Sequence, residues 1–316
     1  MNKSKVLLSI LCVFVFQYFS LAQSFAPEPE VSGSDAIHKD SSIFINWANE
    51  VSITRGPLNI QDPNLGLSNY GAAYDASFIA DNNVVSLGDG GQAIAAFTEP
   101  ISNGEGPDFA IFENGFANHY MELAFVEVSS DGINFTRFES VSETPTTTQL
   151  DNFSFSDCRY IHNLAGKYRV YYGTPFDLED VSGINGLDIN IITHVKIIDV
   201  IGSVTNNIGS YDSQGNIIND PYPTPFESGG FDLDAIGVIH SENLGLTGST
   251  KSYGIFPNPV HNTLNMIGFP NGIKTITNAI GQEIISTRDD KIDVQILSDG
   301  IYFIQQGKSI VKFVKE

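Results

Sequence analysis

The stretch Leu123-Ala124-Phe125-Val126-Glu127-Val128-Ser129-Ser130-Asp131-Gly132-Ile133-Asn134-Phe135 decides how the chain is read. It opens with a strand-length run that is rich in β-branched and aromatic residues. The run stops at Asp-Gly, a pair that takes the positive φ angles of a tight hairpin turn at little cost. The same grammar repeats on either side. Runs at Ala93 to Phe97, Phe109 to Phe112, Lys167 to Tyr172 and His194 to Val200 are separated by glycine-rich turns. Among those turns are Gly88-Asp89-Gly90-Gly91, Asn103-Gly104-Glu105-Gly106, Asn185-Gly186 and Gly229-Gly230. Long helical periodicity is missing, with room for at most a turn or two at Ser42 to Asn49. The fold class predicted is all-β: a large jelly-roll-like β-sandwich over residues 24–240, then a small immunoglobulin-like β-sandwich at the carboxy terminus.

The chain has 316 residues, 41% hydrophobic and 17% charged, enough to bury one large core and one small one. Met1-Asn2-Lys3-Ser4-Lys5, an apolar run from Val6 to Phe19 and the small-residue boundary Ser20-Leu21-Ala22 have the layout of a cleaved signal peptide over residues 1–22. That run is shorter than the roughly 20 residues a bilayer span needs, so no transmembrane helix is expected in the mature chain. One cysteine, Cys158, follows the segment, and a lone thiol forms no internal disulfide.

The formal net charge of −21 is unevenly spread. Ser24 to Thr250 carries 31 acidic and 7 basic side chains, whereas Lys251 onward carries 6 and 7. The break in charge coincides with Ser241 to Ser252, a polar, small-residue segment that reads as the linker (241–252). So acidic a surface repels phosphate backbones and anionic lipid, which excludes nucleic acid as a natural partner and favours cations.

Residues 253–316 carry Pro257-Asn258-Pro259, then Ala279-Ile280-Gly281-Gln282, then Gly300-Ile301-Tyr302, and close on a Lys-containing strand. In that order the motifs resemble the type A carboxy-terminal sorting domain of Bacteroidetes type IX secretion cargo. The resemblance implies the type IX secretion machinery as a partner, passage across the outer membrane, and a secreted or cell-surface location. In the middle, Gly106-Pro107-Asp108-Phe109-Ala110-Ile111-Phe112-Glu113-Asn114-Gly115-Phe116 and Ser228-Gly229-Gly230-Phe231-Asp232-Leu233-Asp234-Ala235 resemble a bacterial cell-surface protein family of undefined activity. The Val126-to-Phe135 run is similar to the strand-turn-strand of galactose-binding-like sandwiches. These likenesses imply architecture and location, and no catalytic residues come with them.

Two sets of side chains carry candidate chemistry. Asp89, Asp108, Glu113 and Asn114 fall at strand ends beside glycine turns, and Asp232 and Asp234 have the i, i+2 spacing of one strand face. Such oxygens suit a hard cation, so a structural Ca²⁺ is the cofactor they would hold, set against a reading as solvated or backbone-capping carboxylates. Asp212-Ser213-Gln214-Gly215-Asn216 lacks the spacing of a helix-loop-helix calcium loop and reads as a hairpin turn. Trp47, Tyr70, Tyr74, Tyr120 and Tyr222 are the aromatic candidates for stacking on a sugar or a planar nutrient, against a role in the core.

The sequence holds no Gly-x-Ser-x-Gly elbow, no His-Glu-x-x-His zinc helix and no phosphate-binding glycine loop. Cys158 with a histidine such as His119, His162 or His194 is a weak nucleophile candidate, and Glu113 with Glu122 is a weak glycosidase pair. The reading that results is a non-enzymatic binding or adhesion protein, exported by the type IX system, with an extracellular glycan or small nutrient as ligand. A polysaccharide-acting hydrolase and a passive surface or matrix protein remain the alternatives.

Overall fold

Among the described residues thirteen strands build the large domain: β1 (Ile37–His38), β2 (Asn46–Trp47), β3 (Glu50–Thr54), β4 (Val85–Ser86), β5 (Gln92–Ile101), β6 (Phe109–Glu113), β7 (Ala124–Ser129), β8 (Thr136–Arg137), β9 (Val141–Ser142), β10 (Ile161–His162), β11 (Tyr172–Phe176), β12 (Ile192–Asp199) and β13 (Asp232–Val238). Seven more form the carboxy-terminal unit: β14 (Gly254–Phe256), β15 (Thr263–Ile267), β16 (Lys274–Asn278), β17 (Glu283–Thr287), β18 (Lys291–Asp293), β19 (Gly300–Gln306) and β20 (Ser309–Lys315). The computed structural model describes residues 24–205, 207–241, 254–269, 272–279, 281–306 and 309–316. The expected signal peptide and all but Ser241 of the expected linker lie outside the described residues.

The large domain is a sandwich of two antiparallel sheets. One has the order β3-β5-β12-β7-β8; the other is β1-β11-β6-β13-β2, with β4 also on β13. Their facing sides bury a single core that includes Phe109, Ile111, Val126, Val128, Val195, Ile197, Leu233 and Ile236. The β5 strand alternates because its other face is half-open, burying Ala93, Ala95 and Phe97 and leaving Gln92, Ile94 and Ala96 partly exposed. By contrast β6 and β13 are buried along their whole length. Ala110, Phe112 and Ala235 on their outer side are covered by Phe44 and Trp47, which is why both strands read as continuous apolar runs.

Helical character among the described residues is confined to four 3₁₀ turns, at Pro63–Leu65, Ala73–Ala76, Cys158–Tyr160 and Leu178–Val181. The segment Ser42 to Asn49 instead contributes β2, paired with Gly237 and Val238. No helix among the described residues is long and apolar enough to cross a membrane. The run from Lys167 to Tyr172 is strand only at its last residue, where β11 begins. Ahead of it Gly166 turns at φ 81°, and an added Cβ there would sit 1.8 Å from the Glu122 carbonyl oxygen. Glycine is therefore required at 166, and the turn keeps the run from extending as a strand.

In the carboxy-terminal unit, β14-β15-β18 and β17-β16-β19-β20 enclose a core of Leu264, Met266, Ile276, Ile292, Ile304 and Phe313 among others. The β16–β17 turn is closed by Asn278, whose N–H donates to Gln282 O at 3.0 Å and whose carbonyl accepts from Gly281 N at 2.9 Å.

Candidate functional site

Side-chain alternation along the core strands brings the acids together. Facing the core, β6 presents Phe109, Ile111 and then Glu113; β12 presents Val195, Ile197 and then Asp199. Ahead of β7 the row Val128, Val126, Ala124 ends on Glu122, and the row Val85, Leu87 ends on Asp89. With a period of two, each of these four apolar rows terminates in a carboxylate. Asp232 at the start of β13 and Asp220 from the β12–β13 connection join them.

Burial and mutual repulsion push these acids up. Glu113 stands well above the usual carboxylate range, chiefly through burial and then through Asp232. Glu122 is raised by burial and then by Asp232, Glu113, Asp220 and Asp199. Asp199 and Asp220 are likewise raised by burial, and Asp232 is pushed up to about 7. Arg55 pulls Asp232 partly back down, but its guanidinium donates to the carbonyls of Tyr70, Gly71 and Ser86.

The hydrogen bonds separate structural acids from available ones. Asp199 Oδ2 accepts from Gly90 N at 2.8 Å and Oδ1 from Phe231 N at 2.7 Å, stapling two glycine-rich turns. Those turns pack too closely for side chains: a Cβ on Gly230 would lie 2.8 Å from Gly88 N. Asp220 accepts from Leu123 N. On Glu113, Oε2 accepts from Gly115 N at 2.7 Å while Oε1 is buried without a partner; Asp232 Oδ1 is also buried without a partner, although the Ser86 and Asn114 side chains lie close enough to this carboxyl to offset part of its upward shift. A buried acceptor left unsatisfied costs roughly 1–3 kcal/mol, more if charged, so two of them side by side mark a place where a cation or a donor fits. The donor types suit Ca²⁺, with carboxylates from Glu113, Glu122 and Asp232 and Asn114 beside them on the cavity wall, but the three carboxylates do not bring one oxygen each within 4.8 Å of the others, so a shared ion would have to draw them together.

Above this floor is a cavity of about 390 Å³. Glu122 and Asp232 reach into it, and Phe116, Tyr120, Phe153 and Phe226 wall it. Three connections supply the walls, namely the β6–β7 loop, the segment around Asn152 and the β12–β13 loop. Phe116 lies against Tyr120 with ring centroids 4.1 Å apart, and Phe155 meets both edge-on at 6.2 Å. A larger groove of about 760 Å³ on the outer face of the β5 sheet holds Tyr74 and His194, but Glu50 is its one acidic lining residue.

The sequence candidates divide accordingly. Glu113, Asn114 and Asp232 come together at the cavity floor. Asp234 is carried round by a register shift between Leu233 and Ala235, and accepts from Asp81 N and Asn82 N. Asp89 accepts from Ile60 N, and Asp108 accepts from Gly104 N, Leu178 N and the His240 ring, so both tie loops. Asp212 accepts from Gln214 N and Asn216 N as a hairpin turn residue.

Of the aromatics, Tyr120 is on the cavity wall, while Tyr70 and Tyr74 are exposed elsewhere. Trp47 packs on Phe44 and Phe112, and Tyr222 is buried with its hydroxyl donating to Asn59 Oδ1, so neither offers a free ring face. Cys158 is fully buried, and burial pushes its thiol up to about 11, the opposite of what a thiolate nucleophile needs.

The carboxy-terminal unit has a separate local logic. Pro257 and Pro259 lack N–H donors, and Asn258 between them supplies the pairing instead: its Oδ1 accepts from Val314 N at 2.8 Å. Val260 N then donates to Val314 O, and Glu316 N donates to Val260 O. The first motif thus clamps the last strand. Residues 254–316 match the secretion system C-terminal sorting domain. This sorting domain marks the protein as type IX secretion cargo, exported across the outer membrane to the cell surface or the extracellular space. No curated protein matches the chain.

What the sequence missed lies upstream of the sorting domain, in Asp199 and Asp220. The cue for Asp199 is its place two residues beyond Ile197 in an alternating strand; Asp220 sits in an irregular connection with no such cue.

Proposed function

We propose that the exported large domain is a binding protein whose acid-floored, aromatic-walled cavity takes an extracellular glycan or a similar hydroxyl-rich nutrient. A Ca²⁺ that draws Glu113, Glu122 and Asp232 together beside Asn114 completes the floor in this reading. The observation that carries it is the pair of buried, unpartnered oxygens on Glu113 and Asp232, the second of which lines a cavity framed by Phe116, Tyr120, Phe153 and Phe226. Aromatic faces stack on the apolar faces of sugar rings, and a hard cation shared between carboxylates and ligand hydroxyls fixes orientation.

The test is calorimetric titration of the purified protein with a panel of soluble glycans, with Ca²⁺ and with EDTA. Saturable binding that needs Ca²⁺, and that weakens at least tenfold in Tyr120→Ala, about 1.4 kcal/mol, is the expected result. Absence of any glycan or calcium response would hand the protein to the passive matrix reading.

A hydrolase is the second reading, favoured by the Glu113 and Glu122 carboxyls, which burial and then neighbouring acids raise well above the usual range, the direction a general acid needs. Release of reducing ends from a bound polysaccharide, lost in Glu122→Gln, would establish it over simple binding.

A further inference from the structure

Outside that cavity, Glu28, His119 and Cys158 bring one carboxylate oxygen, one imidazole nitrogen and one sulfur within 4.8 Å of one another. We propose that these three residues form a site for a zinc-class transition-metal ion, separate from the hard-cation site assigned to the carboxylate floor.

The elements that meet here are distant in sequence. The amino-terminal segment is docked by Phe25 N donating to Arg159 O at 3.0 Å and by the Phe25 ring stacking on His162 at 4.9 Å, which lays Glu28 alongside. Cys158 opens the 3₁₀ turn Cys158–Tyr160, and His119 comes from the β6–β7 loop. His119 has a left-handed backbone, φ 67°, uncommon for a residue with a side chain. Its carbonyl accepts from Ser156 N at 2.7 Å, which ties that loop to the segment leading into Cys158.

Two details point to a metal ion rather than to a hydrogen-bonded cluster. His119 Nε2 and Glu28 Oε1 are 3.7 Å apart, too far for a hydrogen bond. Zinc–nitrogen and zinc–oxygen lengths of about 2.0–2.2 Å in a tetrahedron set those two atoms roughly 3.3–3.6 Å apart, so a small inward movement brings the observed gap to coordination spacing. Second, the Cys158 thiol reaches the Ala26 carbonyl only at 4.0 Å, the long limit of a sulfur hydrogen bond. The neighbouring cation Arg159 is held by Asp157 at 2.5 Å and does not fill the gap.

The mixed sulfur, nitrogen and oxygen donor set selects a borderline ion such as Zn²⁺ over Ca²⁺ or Mg²⁺. Glu28 and His119 also line a cavity of about 390 Å³ with Phe155 and Ser156, which leaves a fourth coordination position open to water or a ligand. Because Tyr120 is the next residue after His119, a metal ion here would also anchor the loop that walls the candidate binding cavity.

Cobalt is the most direct probe, since Co²⁺ bound by a thiolate gives a near-ultraviolet charge-transfer band that carboxylate or imidazole ligation alone does not. The purified protein, stripped with EDTA and dialysed, is titrated with Co²⁺ and then with Zn²⁺. One equivalent of Co²⁺ should produce the band and Zn²⁺ should abolish it. His119→Ala should weaken Zn²⁺ binding at least tenfold, and Cys158→Ser should remove the band. The buried cysteine variant could fail to fold, and the His119 and Glu28→Gln variants then carry the test. Asp232→Asn should leave the band intact, separating this site from the carboxylate floor. A titration without a charge-transfer band, or Zn²⁺ affinity unchanged in both His119→Ala and Glu28→Gln, would overturn the proposal.

Discussion

Asp232 concentrates the physical chemistry of the site. Burial pushes Asp232 and Asp234 up to about 7 and Asp89 up to about 6, whereas an aspartate in an unfolded chain titrates near 4. The folded state therefore holds protons that the unfolded state has released. The associated stability is fully present below about pH 4 and is lost as pH rises through 6 to 7. The metal-free protein should accordingly melt at a lower temperature at pH 8 than at pH 5. Calcium should recover part of that loss, and more at pH 8, where the acids are ionised. Asp232→Asn should flatten the pH profile and shrink the calcium response. Differential scanning calorimetry at the two pH values checks all three, and a midpoint that climbs from pH 5 to pH 8 in EDTA would contradict the account. Single residues of this kind were only partly legible in the sequence. Glycine turns next to acids pointed to Glu113, Asn114 and Asp232, but the same pattern holds Asp89 and Asp108, which tie loops through backbone N–H groups. Nothing local to a sequence separates an acid with free lone pairs from one whose lone pairs are spent.

At the scale of elements, the strands that alternate were the easiest to read and the strands buried on both faces the hardest. The β5 and β12 strands carry their period of two openly, and the apolar run at Phe109 to Phe112 is one residue short of β6. The β13 strand hides a bulge: Leu233 pairs with Glu113 and Ala235 with Phe112, so the i, i+2 rule that relates Asp232 to Asp234 does not carry both to the cavity. The Lys167 to Tyr172 run has strand composition but is preceded by the close approach of Gly166 to Glu122. Gly166→Ala should therefore destabilise the large domain by about 1–3 kcal/mol, since it forces a side chain into left-handed backbone against a carbonyl. It should also disturb the paired Ala124 and Ala165 hydrogen bonds that hold the β7 end where Glu122 sits. Chemical denaturation of the variant, with calcium binding measured alongside, reads both effects. In the sorting domain, Asn258→Ala should cost about 1 kcal/mol by removing the acceptor for Val314 N, and the Val314 amide should exchange faster with solvent.

For the whole molecule, charge and export belong to one argument. Ser24 to Thr250 carries 31 acidic and 7 basic side chains, and the segment from Lys251 onward is nearly balanced. The two cores share none of their buried members: one is centred on residues such as Phe109 and Ile197, the other on Leu264 and Phe313. The sorting domain is thus able to act as an address while the acidic domain carries the cavity, and removal of the address should leave the cargo folded. Deleting residues 251–316 tests this division directly. The truncated protein should accumulate in the periplasm instead of reaching the surface or the medium, because the residues that mark it for outer-membrane passage are gone. Its thermal transition, and the calcium dependence of that transition, should match those of the large domain in the full chain, because every side chain at the carboxylate floor lies before residue 241. Cell fractionation and calorimetry separate the two parts. Truncated protein at the cell surface would mean that export does not depend on the tail, and truncated protein that fails to fold would mean that the tail does more than carry the address.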